Sequence, residues 1–274
     1  MKRLTQFFGI IIFITTATFS QTPFTIGLID KIQSIELSET RILNIYLPEG
    51  YSPDSSTSYP VIYLLDGSAK EDFIHVVGIV QFLTMIESLP KSIVVGIANI
   101  DRRRDFTFPT TIEQDKKDYP TTGSSAKFMA FIEKELQPFI QKKYKTNSTK
   151  TIIGQSLGGL FATEVLLKKP YLFDNYMIVS PSLWWDNESL LTIAPGLLVK
   201  QPDIKTNVYI SVGNEGKKME DDARLLAQML HTSDKINLQL HFLPLPNETH
   251  LTILHNSVYK GFELLYPKKT ERKK

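Results

Sequence analysis

The sequence predicts an α/β fold with a mostly parallel central sheet and helices on both faces. Continuous apolar runs of strand length occur at residues 60–65 and 92–98, as expected for strands that are buried on both faces. Between such runs the apolar residues recur at helical spacing, for example over 71–88. Strands that alternate with helices along the chain favour parallel pairing, with the crossover helices covering the sheet.

Each remaining element follows from the same patterns. Residues 41–48 alternate and end at a proline, which predicts an antiparallel strand whose hairpin partner is 32–37. Further strands are predicted at 149–153, 175–179, 207–212 and 236–242, and further helices at 124–144 with a bend at Pro138, 157–167, 219–230 and 251–265. The charged and polar segment 99–122 is expected to be an irregular loop. No linker or repeat stands out, so residues 21–274 are predicted to form one catalytic domain.

Composition excludes several classes of function. The formal charge of +2 comes from Lys2 and Arg3, since the rest of the chain has 29 basic and 29 acidic residues. A nucleic-acid partner, which would require a basic stripe, is therefore not expected. The chain has no cysteine, hence no disulfide or lipoprotein anchor, and no Cys/His metal spacing, so neither a metal nor another cofactor is expected.

The N-terminus has the pattern of a secretory signal peptide. Lys2 and Arg3 precede the apolar run 7–14, and small residues follow up to Ser20. Threonines shorten the run below the ~20 residues that span a bilayer, which argues against the alternative of an N-terminal anchor helix. We expect residues 1–20 to be removed and the mature protein to be exported from a bacterial cytoplasm, either to the periplasm, which the signal favours, or fully outside the cell, without stable membrane insertion.

The segment Gly154-Gln155-Ser156-Leu157-Gly158 lies between a predicted strand and a predicted helix. This Gly-x-Ser-x-Gly pattern is typical of a nucleophile elbow, in which the serine has a strained backbone conformation. Gly154 and Gly158 are expected to avoid steric clashes there. The N-terminus of the following helix would face any negative charge that develops on a substrate.

A serine nucleophile needs a base, and His250 is the predicted one. It lies in the loop between the last strand and the last helix, where this kind of site places its histidine. The other histidines fall on predicted helices or on the last strand, and we expect them to be structural: His75, His231, His241 and His255.

The acid that orients the base is predicted to be Glu215, since it follows the strand at 207–212. Asp221 and Asp222 lie just downstream and are open alternatives, although acids in the first turn of a helix also complement its dipole. Glu248, two residues before the predicted base, is a further candidate.

The oxyanion hole is expected to use two backbone N–H groups. One is that of Leu157, directly after the nucleophile, and the other lies in the loop after an earlier central strand. That loop is Leu65-Asp66-Gly67-Ser68, in which Gly67 frees the turn and the N–H of Ser68 is the candidate second donor.

Five blocks occur together in one order. They are 63–67 (YLLDG), 99–107 (NIDRRRDFT), 154–159 (GQSLGG), 180–185 (SPSLWW) and 247–250 (NETH). Together they resemble the putative-esterase (esterase D-type) family of α/β-hydrolases, and within it the hydrolases of ferric siderophores such as enterobactin. The resemblance covers most of the chain after about Arg41.

The resemblance implies ester hydrolysis, with Ser156 as nucleophile and His250 as base. It also implies Leu157 and Ser68 as oxyanion donors, by similarity to the mycolyltransferase branch. Some siderophore esterases work with a Ser–His pair alone, which leaves the role of Glu215 open.

Four further residues are candidates for substrate binding. Arg102 and Arg104 are suited to hold an anionic substrate such as a catecholate complex, or else form an internal network with Asp101 and Asp105. Trp184 and Trp185 are suited to form the wall of an acyl or aromatic pocket, or else belong to the core.

These observations predict an exported serine hydrolase that cleaves small-molecule carboxylic esters through an acyl-enzyme. The alternatives are an acyltransferase that uses the same site and a non-catalytic binding protein with the same fold.

Overall fold

The computed structural model describes residues 21–267, and one eight-stranded sheet runs through them. The strands lie in the order β1-β2-β4-β3-β5-β6-β7-β8. Their bounds are β1 Leu28–Ser34, β2 Glu39–Tyr46, β3 Tyr59–Leu64, β4 Ile93–Ile97, β5 Thr146–Gln155, β6 Asn175–Val179, β7 Thr206–Gly213 and β8 Leu238–Leu245.

Strand direction confirms the predicted fold class. β1 and β2 form an antiparallel hairpin, and β2 is also antiparallel to β4. All other neighbours are parallel, from β4 through β3, β5, β6 and β7 to β8. The ends of β5, β6, β7 and β8 therefore lie side by side at one edge of the sheet, where ligand sites form in α/β folds.

Nine α-helical segments accompany the sheet in residues 21–267. They are α1 Phe73–Met85, α2 Arg102–Phe106, α3 Glu113–Asp118, α4 Ser125–Phe131, α5 Gln137–Lys143, α6 Leu157–Lys168, α7 Trp185–Lys200, α8 Lys217–His231 and α9 Ile253–Leu265. The helices cover both faces of the sheet, as predicted. Buried side chains of α1 and α9 form one core, and those of α2, α4 and α6 to α8 belong to a core on the other face.

The strand sequences explain why both faces can be covered. Along β3, Val61 and Tyr63 belong to the core under α6, whereas Ile62 and Leu64 belong to the core under α1. Since successive side chains of a strand point to opposite faces, an uninterrupted apolar run serves both cores. This is the pattern from which the buried strands were predicted.

The segment 99–122 differs from the prediction of an irregular loop, because it contains α2 and α3. Asp101 caps α2 by accepting a hydrogen bond from the N–H of Arg104. Within α2, Asp105 is fully buried and pairs with the equally buried Arg41 of β2. A charge that is buried with its partner fixes the short helix against the sheet, and composition alone gave no sign of this pairing.

Two other helices depart from a regular pattern. The helix predicted at 124–144 consists of α4, a π-helical turn at 132–136 and α5, with Pro138 near the start of α5. Pro138 has no N–H to donate to the preceding turn, and the bend expected there stays a prediction. α7 was not predicted, and three consecutive residues at its start have left-handed backbone angles: Asp186, Asn187 and Glu188.

No helix within residues 21–267 is both long enough and apolar enough to cross a membrane. The predicted signal peptide, residues 1–20, lies outside the described residues.

Candidate active site

Ser156 lies on a sharp turn between the end of β5 and the first residue of α6. Its backbone angles are φ 60° and ψ −120°, a conformation that non-glycine residues rarely adopt. The N–H of Ser156 donates to the carbonyl of Val179 at 3.0 Å, and its own carbonyl accepts from Leu160 at 2.9 Å and Ser182 at 3.0 Å. These bonds to three other segments hold the strained turn in place.

Glycines make the turn sterically possible, although not all those that were predicted. A Cβ on Gly154 would lie 2.4 Å from the carbonyl oxygen of Gly158, so position 154 must lack a side chain. A Cβ on Gly159 would lie 2.9 Å from both Val179 O and Pro181 Cα. At Gly158 the nearest atom would be a carboxylate oxygen at 3.3 Å, so this position is less restricted than the prediction assumed.

The structure brings His250 and Glu215 together. His250 lies in the loop between β8 and α9, and Glu215 follows β7, as the sequence indicates. The distance from His250 Nδ1 to Glu215 Oε2 is 2.5 Å. The Glu215 side chain is 2% exposed and that of His250 is 40% exposed, so one end of the pair is buried and the other faces solvent.

The Glu215 carboxylate is surrounded by donors. Its Oε1 accepts from Ser180 Oγ at 2.5 Å and from the N–H of Gly213 at 3.0 Å. Burial raises the pKa of Glu215, but the hydrogen bonds from His250, Ser180 and Gly213 outweigh burial and lower this pKa below its ordinary value. Glu215 is therefore ionised at neutral pH and able to hold the imidazole in one tautomer.

Two hydrogen bonds connect the His250 loop to neighbouring strand ends. Gln155 Nε2 donates to the carbonyl of His250 at 2.5 Å, and the N–H of Asn214 donates to the carbonyl of Glu248 at 2.7 Å. Among the hydrogen bonds of residues 21–267, none joins Ser156 Oγ to His250, and the partner of Ser156 Oγ is Ser182 Oγ at 3.2 Å. Catalytic hydrogen bonds are commonly formed only once substrate is bound.

The other candidate acids have different partners. Asp221 pairs with Lys217, and Glu248 accepts from Asn256. Asp222 is buried, and this burial raises its pKa, so Asp222 is less suited than Glu215 to remain ionised. Of the four acids named from the sequence, Glu215 is the one whose carboxylate contacts the imidazole of His250.

Of the two predicted oxyanion donors, the Leu157 N–H starts α6, where first-turn N–H groups have no intrahelical acceptor. The Ser68 N–H donates to Glu71 Oε2 at 3.1 Å, so this donor is occupied in the structure. The loop that holds Ser68 is itself strained, since Asp66 has a φ of 51°.

Arg102 connects this loop to the elbow. Its guanidinium donates to Asp66 Oδ1 at 2.6 Å and Oδ2 at 3.1 Å, and also to the carbonyl of Gln155 at 3.2 Å. Its side chain remains 33% exposed. Arg102 therefore joins the two loops in which the predicted oxyanion donors lie.

Arg104 belongs to an ion-pair network. It donates to Asp105 Oδ1 at 2.8 Å and to both carboxylate oxygens of Glu39, at 2.6 and 3.0 Å. These hydrogen bonds, first the one to Asp105 and then those to Glu39, raise the pKa of Arg104 above its ordinary value. The arrangement matches the internal network that the sequence left open, with Glu39 as an added member.

The two tryptophans differ in exposure. Trp185 is fully buried, and its indole N–H donates to the carbonyl of Phe108 at 2.9 Å. Trp184 is partly exposed and lies against Tyr119, with ring centroids 6.3 Å apart. Of the pair, Trp184 is the one that a substrate can reach without displacing the core.

Sequence reasoning assigned no role to Ser180 and Ser182, although both lie in one of the five quoted blocks. A serine between a strand and a helix has no signature of its own, so nothing but the fold could show that these two contact Glu215 and Ser156. Over the described part of the chain, no group of three or more His, Asp or Glu side chains has the arrangement needed to hold a metal ion.

The sequence profile of the putative esterase family matches residues 34–248. The chain belongs to the putative esterase family. The match ends two residues before His250, so it includes the elbow and Glu215 but not the histidine.

Named relatives agree with this membership. The ferri-bacillibactin esterase BesA of Bacillus subtilis is 29% identical over 248 residues, which cover 79% of this chain and 82% of BesA. An IroE-like serine hydrolase from Shewanella oneidensis is 32% identical with a TM-score of 0.81, over 88% of this chain and 80% of that one. The BES protein from Bacillus cereus is 30% identical with a TM-score of 0.78, over 90% and 97% of the two chains.

The elbow geometry yields a test of position 154. Gly154→Ala places a methyl group against the Gly158 carbonyl, so we expect a loss of about 1–3 kcal/mol in the free energy of unfolding. We also expect a fall of at least tenfold in esterase activity, because the turn that aims Ser156 must shift. Urea denaturation and a rate assay measure the two effects.

Gly78→Ala is the matched control, since a Cβ at this position in α1 meets no atom within 4 Å. It should retain full activity and gain about 0.5–1 kcal/mol of stability. A Gly154→Ala protein with the stability and rate of the parent would show that the close approach at the elbow is unimportant.

Proposed function

We propose that this protein is an exported serine hydrolase that cleaves carboxylic esters of the siderophore type through an acyl-enzyme. Membership of the putative esterase family supports ester hydrolysis. The observation that supports the serine mechanism is the alignment of three strand ends. Ser156 follows β5, Glu215 follows β7 and His250 follows β8, with the Glu215–His250 contact already formed.

In the first half-reaction, Ser156 Oγ attacks the ester carbonyl carbon while its proton passes to His250 Nε2. The electron pair of the carbonyl bond moves to oxygen, which becomes the oxyanion. Glu215 stabilises the imidazolium through Nδ1 without taking the proton itself. The oxyanion then collapses, the bond to the alcohol oxygen breaks, and His250 returns the proton to the departing alcohol.

In the second half-reaction, a water molecule replaces the alcohol. It transfers a proton to His250 as its oxygen attacks the acyl carbon, and a second oxyanion forms and collapses. The bond to Ser156 Oγ breaks, the serine regains its proton from His250, and the carboxylic acid departs. The partly exposed imidazole allows water to approach the acyl group.

The N–H groups of Leu157 and Ser68 would hold the oxyanion, each worth roughly 2–4 kcal/mol in the transition state. In the structure the Glu71 carboxylate occupies the Ser68 N–H. Glu71 must therefore release this N–H before the second donor can act. Asn99 also donates to Glu71, at 2.9 Å, and offers that carboxylate a remaining partner.

The substrate class is proposed from the relatives and from side chains around Trp184, which follows Ser182, a contact of Ser156, by two residues. The similar proteins include a ferri-bacillibactin esterase and a siderophore hydrolase. In this chain Tyr119 packs against Trp184, and the Arg103 guanidinium lies 4.7 Å from the centroid of the Tyr119 ring. Aromatic rings beside a guanidinium suit a substrate that combines aromatic rings with negative charge. Of the predicted binding residues, Arg102, Arg104 and Trp184 have partly exposed side chains, and the Arg104 guanidinium is already bound by Asp105 and Glu39.

Ser156→Ala should abolish hydrolysis of simple activated esters and of a ferric triscatecholate lactone, with a loss of at least about 10³-fold, because the variant has no nucleophile. The measurement is a rate assay on both substrates, with Ser88→Ala as the control. Ser88 is a buried serine whose hydroxyl has no partner among the described residues. Hydrolysis by Ser156→Ala at the parent rate would exclude the serine mechanism.

Glu215→Gln should lower kcat by roughly 10³-fold or more, because a neutral amide cannot stabilise the imidazolium. The variant also tests stability, since the folded-state pKa of Glu215 lies below its unfolded value. The carboxylate stabilises the fold above the unfolded pKa of about 4.3, and this contribution is lost as the pH falls through the folded-state pKa.

The melting temperature of Glu215→Gln should therefore lie below that of the parent at pH 7, and the difference should shrink as the pH falls below the unfolded pKa of about 4.3 and through the folded-state pKa. Asp221→Asn is the control, because Asp221 pairs with exposed Lys217 and not with His250. An active Glu215→Gln enzyme would show that Ser156 and His250 act without this acid.

Export is the remaining part of the proposal. If residues 1–20 form a signal peptide, the protein recovered from a periplasmic fraction should begin at about Gln21. N-terminal sequencing or intact mass measures this directly. A full-length protein that stays in the cytoplasm would contradict export while leaving the proposed reaction unaffected.

A further inference from the structure

The segment Ser180-Pro181-Ser182 connects β6 to α7 and lies between two parts of the proposed catalytic triad. In the sheet, β6 is flanked by β5 on one side and β7 on the other. Ser156 follows β5 and Glu215 follows β7, so a short segment at the end of β6 can contact both. Ser180 is fully buried and Ser182 is 2% exposed.

Ser180 contacts the proposed acid. Its hydroxyl lies 2.5 Å from Glu215 Oε1, and it must be the donor, because an ionised carboxylate only accepts. The other carboxylate oxygen of Glu215 faces His250 Nδ1. Ser180 and His250 therefore bind opposite oxygens of one carboxylate, and the hydroxyl fixes the rotation of the group that holds the imidazole.

The backbone of Ser180 is strained in order to make this contact. Its φ is 41°, and its N–H donates to the carbonyl of Ser211 at 2.8 Å. A serine in the left-handed region is uncommon where glycine would be unstrained. Position 180 therefore has a side chain despite the conformational cost of its positive φ. Such strain is expected where the side chain has a functional role.

Ser182 contacts the proposed nucleophile twice. Its N–H donates to the carbonyl of Ser156 at 3.0 Å, and the two hydroxyl oxygens are 3.2 Å apart. When the Ser156 proton passes to His250, the Ser182 hydroxyl becomes the group that can donate to Ser156 Oγ. This bond would orient the oxygen towards the substrate carbonyl.

The segment is held rigidly between the two contacts. Pro181 packs against the start of α6 so closely that a Cβ on Gly159 would lie 2.9 Å from Pro181 Cα. The proline ring also fixes one backbone angle between the two serines. The backbone between the two serines is therefore restrained.

We propose that Ser180 and Ser182 are paired positioning residues, the first for the Glu215 carboxylate and the second for the Ser156 hydroxyl. This inference rests on the proposed serine mechanism. It assigns a role to a segment that sequence analysis identified only as part of one of the five blocks, 180–185.

The test is to delete each hydroxyl separately. Ser180→Gly removes the hydroxyl and relieves the positive φ, so the variant is expected to fold. The carboxylate, with one donor fewer, becomes a stronger acceptor towards His250. We expect kcat to fall about tenfold with little change in KM, and the acidic limb of the kcat/KM profile, which reports the Glu215–His250 pair, to move to higher pH.

Ser182→Ala is expected to lower kcat about tenfold without moving the acidic limb, because Ser182 contacts the nucleophile and not the pair. Ser182→Thr keeps the hydroxyl and should recover most of the rate. Ser257→Ala is the matched control, since it also breaks a buried serine–serine contact, that of Ser257 with Ser211, but contacts no member of the triad.

A fall in kcat for both variants, with the acidic limb moved in Ser180→Gly alone and Ser257→Ala at the parent rate, would support the inference. Folded Ser180→Gly and Ser182→Ala proteins with the kcat and pH profile of the parent would overturn it, as would an equal fall in Ser257→Ala. Ser156→Ala distinguishes failure of the serine mechanism from failure of the positioning proposal. An inactive Ser156→Ala protein supports the serine mechanism even if Ser180 and Ser182 prove to have no positioning role.

Discussion

The strained backbone of Ser156 is the constraint on which the site depends. A residue at φ 60° between a buried strand and a buried helix persists only if its surroundings hold it. Here β5 and α6 approach so closely that a Cβ on Gly154 would clash with the Gly158 carbonyl. The turn is also hydrogen-bonded to Val179 at the end of β6 and to Ser182 just after it. The parallel arrangement of β5 to β8 then places Glu215 and His250 at the same edge of the sheet as Ser156, on short loops that follow the strands.

Around this turn the charges are arranged in two separate sets. Glu215 is nearly fully shielded and receives hydrogen bonds on both oxygens, so it stays ionised beside His250. On the other side, Arg102 binds Asp66 and the carbonyl of Gln155, and thereby ties the Ser68 loop to the elbow. The first set polarises the proposed base, and the second joins the two loops that contain the proposed oxyanion donors.

Much of this could be predicted because local pattern and tertiary structure agree. The strand at 175–179 and the elbow helix start where the sequence indicates, since apolar runs of strand length have few alternative uses. Helix α2 could not be predicted, because it is fixed against the sheet by a buried pair between Arg41 and Asp105, which are distant in sequence. The acid stayed open for the same reason, as four carboxylates lie at plausible positions and only the fold shows which contacts the imidazole. The occupation of the Ser68 N–H by Glu71 is likewise invisible in the sequence.

The proposed mechanism depends on Ser156 being the nucleophile whose Oγ forms a covalent bond to the acyl group. The most direct measurement is mass spectrometry of the protein after reaction with a fluorophosphonate, followed by peptide mapping. We expect one adduct, on the peptide that contains Ser156, and a loss of esterase activity that is proportional to labelling and complete when labelling is complete. Complete labelling of another residue, or unchanged esterase activity after Ser156 is labelled, would contradict it.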